Sequence, residues 1–153
     1  MDQLKSRRDF GFSLLEVLLV LTLLAGAGFV LFVKLPVQIE NRNLGIASTQ
    51  LVQEIRDAQH SALAENVWYE VRFYASVNIY KIFKEGNTLV KSVSLPEKIS
   101  FVNQPSTIRF TASGMTYFTG GSPLTGTVTL SNGKKTRNII TALITGRVRE
   151  EIK

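Results

Sequence analysis

The sequence predicts an α+β protein: a long N-terminal helix, with a transmembrane first half and an amphipathic second half, followed by an antiparallel all-β head. Three observations support this prediction. Residues 12–33 form one apolar run, residues 34–66 repeat apolar positions at helical spacing, and residues 67–153 adopt the two-residue period of strands. The length of 153 residues fits one domain with an appendage.

The apolar run extends from Phe12 to Val33 and contains one charged residue, Glu16. At 1.5 Å per residue such a helix is about 33 Å long, enough to cross a hydrocarbon core of about 30 Å. Residues 1–11 precede it as a basic leader, which favours a cytoplasmic N-terminus and a head outside the cell membrane. The run therefore predicts a single-pass transmembrane segment.

Two simpler interpretations of this segment compete. Ala25-Gly26-Ala27 has the A-x-A pattern of a signal-peptidase site, but the apolar run continues beyond it to Val33. A plain signal anchor explains the length but not Glu16, because a carboxylate in the bilayer costs about 3 kcal/mol.

The stretch Gly11-Phe12-Ser13-Leu14-Leu15-Glu16 resembles the cleavage motif of type IV pilins and pseudopilins. The resemblance implies that a prepilin peptidase cuts between Gly11 and Phe12 and that Phe12 is N-methylated. It also implies that Glu16 meets the Phe12 amine of a neighbouring subunit in a filament, since a buried charge is tolerated when it is paired. The expected partners are the peptidase, the membrane and other pilins or pseudopilins, and the expected location after assembly is a pseudopilus or the cell surface.

Residues 34–66 are predicted to extend the helix as an amphipathic segment. The helix is predicted to end at Asn66 and to be locally weaker at Gly45. Pro36 is expected to kink or break it. The predicted buried stripe consists of Leu44, Ala47, Leu51, Ile55, Ala58 and Ala62.

From Val67 onward the sequence predicts a β-rich head over residues 67–153. The predicted strands are 67–74, 79–83, 88–95, 99–102, 107–111, 115–118, 127–130 and 137–145, with a hairpin turn at Asn132-Gly133. Alternation places Tyr69 and Phe73 on one face and Trp68 and Tyr74 on the other. The favoured role is sheet packing on one face and contact with the helix or a neighbouring subunit on the other, and a base-stacking platform is the alternative.

The segments 108–114 and 126–149 resemble the GspH/FimT class of minor pilins and pseudopilins. Segments 14–26, 34–41 and 47–65 are most similar to the ComGD-type competence pseudopilins. The resemblance implies a minor pseudopilin in a type IV pilus-like filament for DNA uptake in transformation. A type II secretion pseudopilin, a type IV pilus minor pilin and a membrane-anchored β-domain that never assembles remain alternatives.

No enzyme, cofactor or metal centre is predicted. The chain has no cysteine, which excludes disulfides and thiolate chemistry, and His60 is its single histidine. Asp57 and His60 are three residues apart on the helix and are interpreted as a solvated surface. The sequence lacks a G-x-S-x-G elbow, a Walker loop and a dinucleotide fingerprint.

The net charge is +6, and residues 132–153 hold six basic and two acidic residues. Gly146-Arg147-Val148-Arg149 resembles the G-R-x-R ending of FimT-type proteins, a feature associated with DNA binding in that group. On a strand the two arginines would face one side and contact successive phosphates. The candidate residues for binding double-stranded DNA are Arg147, Arg149, Lys134, Lys135 and Arg137. A solvated basic tail and a contact with an acidic neighbouring subunit are the alternatives.

Overall fold

A computed structural model describes residues 13–120, 126–143 and 145–152, and it describes residues 29–37 without their side chains. The chain divides into two compact units, residues 1–38 and 39–153. One helix, α1 (Leu14–Glu65), is assigned across both units, as the sequence predicts. The predicted helix start at Phe12 lies outside the described residues. The alternative of a break at Pro36 is wrong, because proline removes only one helical hydrogen bond and the helix continues through it.

In the first unit, the described part of α1 is apolar on all sides. Its large apolar side chains from Leu14 to Leu24 are 46% to 84% exposed. Within the described residues, no stretch of helix combines the length and apolarity that a membrane crossing requires. The predicted transmembrane segment 12–33 is only partly described by the structure. Phe12 and the side chains of residues 29–33 lie outside the described part.

The second unit contains two sheets, and the strand pairing is antiparallel in both, as predicted. The strands are β1 (Tyr69–Tyr74), β2 (Ile79–Lys84), β3 (Thr88–Ser94), β4 (Ser100–Phe101), β5 (Thr107–Phe110), β6 (Thr116–Thr119), β7 (Thr127–Ser131), β8 (Thr136–Thr141) and β9 (Val148–Ile152). A five-stranded sheet has the order β3-β2-β1-β5-β6, and a four-stranded sheet has the order β4-β7-β8-β9. The second unit begins at Ile39, so it contains helical residues 39–65 together with the β-rich residues 67–153. The sequence predicted these two segments as separate parts.

The core of the second unit lies between the amphipathic part of α1 and the inner faces of both sheets. Every residue of the predicted helical stripe is buried, and Leu51 and Ile55 are fully buried. The sheets contribute alternate residues such as Val71 and Leu130. All buried apolar residues of the described chain lie between Leu44 and Val148, so residues 39–153 carry a complete core of their own.

Two local predictions are confirmed. Asn66 has φ 56°, a left-handed conformation that ends α1. The Asn132-Gly133 turn joins β7 to β8 with Gly133 at φ 81°. The Asn132 side-chain oxygen accepts hydrogen bonds from the backbone N–H groups of Lys134 (3.0 Å) and Lys135 (2.8 Å), which fixes this turn.

The predicted strand 137–145 is wrong at its end, and the last residues form a strand rather than the solvated basic tail that was the alternative. β8 ends at Thr141, and the chain then turns and returns as β9, which pairs with β8 from Thr141↔Val148 to Arg137↔Ile152. Two hydrogen bonds close the turn: Ala142 N–H to Arg147 C=O (3.0 Å) and Gly146 N–H to Ala142 C=O (3.0 Å). Gly146 supplies φ 61°, so the turn geometry overrides the strand propensity of the preceding residues.

Candidate functional surfaces

The turn between β8 and β9 is attached to α1. The Gln59 side-chain amide donates to the Thr145 carbonyl (3.3 Å), and the Arg56 guanidinium donates to the Val148 carbonyl (3.1 Å). A Cβ at Gly146 would overlap with the Gln59 amide, so glycine permits this close approach. The backbone of the G-R-x-R segment is therefore held in place by helix α1.

Arg147 and Arg149 lie close together beside this turn. Both line a pocket of about 290 Å³ with Ile140 and Ala142. Arg149 lies opposite Ile140 in the β8–β9 pairing, and hence on the outer face of the four-stranded sheet. Arg149 also pairs with Glu151 at 3.0 Å, and both side chains remain accessible at 64% and 43%.

The other three predicted DNA-binding residues do not join this pair. Lys134 and Lys135 lie just before the opposite end of β8, and the nearer one, Lys135, is five residues or about 17 Å from the position that faces Arg149. Lys134 pairs with Glu40 at 3.2 Å, whereas Lys135 is exposed. Arg137 lies on the inner face and pairs with Glu150. The structure thus divides the predicted basic cluster between two ends of the sheet.

Glu150 lies in a half-buried polar cluster between β9, β8 and α1. It accepts hydrogen bonds from the Ser48 hydroxyl (2.7 Å) and from the Arg137 guanidinium. Burial alone would raise the pKa of Glu150, but the hydrogen bonds from Ser48 and Arg137 outweigh it and hold that pKa below its ordinary value. The carboxylate therefore joins the last strand to the helix as a charged group.

Replacing Glu150 with glutamine is expected to lower stability by about 1–2 kcal/mol at neutral pH, because a charge-assisted pair is lost. The lowered pKa means that this stabilisation is present above the ordinary glutamate pKa and is lost as pH falls through the folded-state value. Urea unfolding of residues 39–153 at several pH values would measure it. Wild type and E150Q should converge in acid, and a difference that persists unchanged at low pH would contradict this assignment.

The helix surface around Asp57 and His60 is solvated, as predicted. Both residues are exposed, and the Asp57 carboxylate accepts a hydrogen bond from the Gln53 amide at 2.8 Å. In the described part of the chain, no three potential ligands among His, Asp and Glu gather as a metal site would require.

A surface that the sequence indicates only through Trp68 and Tyr74 lies on the outer face of the five-stranded sheet. Strand register places four aromatic residues and three cations there; we call them the basic aromatic face: Trp68, Arg72, Tyr74, Lys81, Phe83, Arg109 and Tyr117. Each cation lies over a ring: Arg72 over Phe83 (4.3 Å to the centroid), Lys81 over Tyr74 (5.3 Å) and Arg109 over Trp68 (4.7 Å).

Glu70 fixes the two arginines of the basic aromatic face from below. It is 4% exposed and accepts hydrogen bonds from Arg72 (2.8 Å) and Arg109 (2.7 Å and 3.2 Å). Burial would raise the pKa of Glu70, but these two arginines outweigh it and lower that pKa. The one sequence signal for this face was the alternation of charged and aromatic residues in Trp68–Tyr74.

Tyr69 and Phe73 do not belong to that face. They are 4% and 3% exposed in the core, which confirms sheet packing for this pair and excludes them from a base-stacking platform.

Glu16 lies in the first turn of α1, where its N–H donates to the Ser13 carbonyl at 2.9 Å. The side chain is exposed and stands among exposed apolar neighbours such as Leu15 and Val20. The predicted processing residues Gly11 and Phe12 lie outside the described residues. The described helix therefore presents an isolated carboxylate on an uncovered apolar surface.

Comparison with solved structures identifies the architecture. No protein-family model matches the chain, and no curated protein matches it. A minor pseudopilin, EpsH from the type 2 secretion system of Vibrio cholerae, is similar in structure with a TM-score of 0.53 and 12% sequence identity. The match covers 72% of this chain and 97% of that chain.

The chain has the fold of a minor pseudopilin. This result confirms the predicted α+β class and the pilin-like head. At this identity the likeness concerns the fold, so the closer similarity to ComGD-type proteins stays a prediction.

Proposed function

We propose that the chain is a minor pseudopilin that is cut between Gly11 and Phe12 and assembled into a pilus-like filament. The observation that carries the proposal is the combination of a pseudopilin fold with a Gly-Phe-x-x-x-Glu motif at the start of an apolar helix. Before assembly, residues 12–33 hold the protein in the cell membrane, with the N-terminus inside and the head outside.

Assembly explains both unusual properties of the described start of α1. The apolar side chains from Leu14 to Leu24 need a cover, and packing against helices of other subunits provides it. The Glu16 carboxylate needs a positive partner, and the Phe12 amine released by cleavage provides one. The pair also fixes the axial register, as a lone buried polar group does in helical assemblies.

Mass spectrometry of the membrane-extracted protein tests the processing step. We expect an N-terminus at Phe12 that carries a methyl group and disappears when the prepilin peptidase is deleted. An N-terminus at Gly28 would indicate an ordinary signal peptidase, and an intact leader would leave the protein as an anchored β-domain. Either result would overturn the proposal.

For the cargo, we propose DNA uptake. Arg147 and Arg149 support this choice, because they project from a backbone that α1 holds in place and they line one accessible pocket. Two exposed guanidinium groups on one face of the strand suit contacts with successive phosphates, which are independent of sequence. Secretion is the second candidate, and the likeness to EpsH favours it.

Replacing both Arg147 and Arg149 with alanine is expected to weaken duplex DNA binding by residues 39–153. The plot of log affinity against log salt concentration should become less steep by about two, since two phosphate contacts are lost. Fluorescence anisotropy at several salt concentrations would measure this slope. Arg42→Ala with Lys84→Ala removes the same charge outside the pocket and should change the slope little. An equal effect of both double variants, or no binding of the wild type at low salt, would refute direct DNA binding.

Deletion of the gene in its own strain distinguishes the two cargoes. DNA uptake predicts a loss of transformation with normal secretion, whereas a secretion role predicts the reverse. Restoring the chain with both arginines replaced should return filament assembly but not transformation. Normal transformation in the deleted strain would exclude the DNA-uptake proposal.

A further inference from the structure

The basic aromatic face presents cationic charge to solvent. The side chains of Arg109 and Arg72 are 41% and 30% exposed, whereas the Glu70 side chain beneath them is 6% exposed. Tyr74 and Tyr117 are also accessible, at 37% and 48%. A partner that approaches this sheet therefore meets the cations and aromatic edges, and the carboxylate is hidden from it.

The cations of this face are held in place before any partner arrives. Arg72 and Arg109 are each fixed twice, by a ring and by Glu70, and Lys81 lies over Tyr74. Groups that are already ordered lose little conformational freedom on binding, so more of their interaction energy appears as affinity. This arrangement favours the binding of anionic groups.

The composition of the face favours a protein rather than a nucleic acid. Three of its four rings already carry a cation on one side, which leaves little room for stacked bases. Exposed apolar side chains border it at Leu89 (51%), Val90 (50%) and Met115 (51%), and these offer nothing to a phosphate backbone. Arginine, tyrosine and methionine together are typical of the central residues of protein interfaces.

A second copy of the chain fits the face poorly. After the proposed cut the side chains of residues 12–153 keep a net charge of +5, because the leader removes three basic and two acidic side chains from the total of +6, so copies repel one another. Several of its carboxylates, among them Glu40, Glu54 and Glu150, already pair with its own cations. An acidic patch on another protein is therefore the better charge complement for this face.

We infer that the basic aromatic face docks onto an acidic patch on the head of a different pseudopilin subunit. The inference rests on the proposed function, because filament assembly is what brings two heads together. The cations would pair with Asp or Glu of the neighbour, and the exposed tyrosines and border residues would pack around those pairs.

Site-specific photocrosslinking in the full-length chain in cells tests the inference. A benzoylphenylalanine at Tyr117 should crosslink to another pseudopilin through a peptide that contains Asp or Glu. The matched control is the same probe at Thr136, on the outer face of the four-stranded sheet, which should not give this product. A crosslink to a second copy or to DNA, or no crosslink at all, would refute the inference.

Charge reversal makes the test specific. Lys81→Glu leaves the buried Glu70 cluster intact and should lower the crosslink yield by about tenfold. Exchange of the identified acidic residue of the partner for lysine should restore it. Arg42→Glu makes the same change of charge on the helix and should leave the yield unchanged; an equal loss would show a nonspecific charge effect and overturn the inference.

Tyr117→Ala offers a second variant that does not touch any ion pair; since the probe occupies this position, it is assayed by co-purification with the partner, which it should weaken. The N-terminus is determined in each strain. If Phe12 is the N-terminus and the crosslink is absent, the inference fails while the proposed function stands. If Phe12 is not the N-terminus, the proposed function fails first.

Discussion

Replacing Gly126 with alanine is expected to destabilise the head by about 3 kcal/mol, and it should leave little folded protein at physiological temperature. Gly126 immediately precedes β7 and is buried. Its carbonyl accepts a hydrogen bond from the Thr141 N–H at 2.8 Å, which pairs the starting end of β7 with the last residue of β8. A side chain at this point would enter space that other atoms already occupy.

The size of the expected effect follows from what surrounds Gly126. An added Cβ would overlap with the Thr141 carbonyl oxygen and with the ring of Phe118 on β6. The carbonyl is backbone and cannot rotate away, so the strand must shift and its pairing with β8 must weaken. Thermal and urea unfolding of residues 39–153, followed by circular dichroism, would measure the loss.

Gly133→Ala provides the matched control. Gly133 has φ 81° but has open space around it, so alanine there adds about 1–2 kcal/mol of backbone strain without a clash. G126A should therefore be clearly less stable than G133A. If G126A and G133A were equally stable, the backbone around Gly126 would have to relax to accept a methyl group, contrary to this expectation.

Most of the head could be predicted because burial follows strand period. Tyr69, Val71 and Phe73 alternate with polar residues, and the five-stranded sheet buries these three and leaves Arg72 accessible. The helical stripe from Leu44 to Ala62 was equally clear, since this part of α1 buries one face against the sheets. In both cases one period and one buried face determine the structure.

The end of the chain was harder to predict because its structure depends on distant contacts. Residues 137–145 are rich in β-branched side chains, and local propensity alone favours one long strand. Gly146 and the hydrogen bond from Gln59 stop that strand and turn the chain back as β9. A hydrogen bond between residues 59 and 145 cannot be predicted from the local sequence pattern around either residue.

The separation of the predicted DNA-binding residues into two groups has a similar cause. Because the basic residues are close in sequence, they were expected to share one surface. In the structure, strand β8 separates Lys134 from Arg149 by almost its full length. The pairing of Arg137 with Glu150 could not be predicted either, because it needs β9 to exist. Likewise, Glu70 meets Arg109 only through the β1–β5 pairing of strands that are far apart in sequence.

Replacing Glu16 with alanine is expected to reduce incorporation into filaments by about a hundredfold or more. In an assembled filament the Phe12 amine would be buried in an apolar helix bundle, and removing its partner leaves an unpaired buried charge that costs about 3–5 kcal/mol. The expected defect lies in assembly alone, because Glu16 is exposed in the single chain and the core of residues 39–153 does not include it. Sheared filament fractions and membrane fractions, compared by immunoblot, would measure this ratio.

The control and the partial variant separate charge from polarity. Thr22→Val replaces another polar side chain of residues 12–33, whose hydroxyl donates to the Leu19 carbonyl of its own helix at 2.8 Å, and it should assemble normally. Glu16→Gln keeps the shape but not the charge and should fail like alanine, whereas Glu16→Asp should recover part of the incorporation. If E16Q assembles as well as wild type while Phe12 is the processed N-terminus, the amine–carboxylate pair is not what holds the subunits in register, and apolar packing of α1 alone must do so.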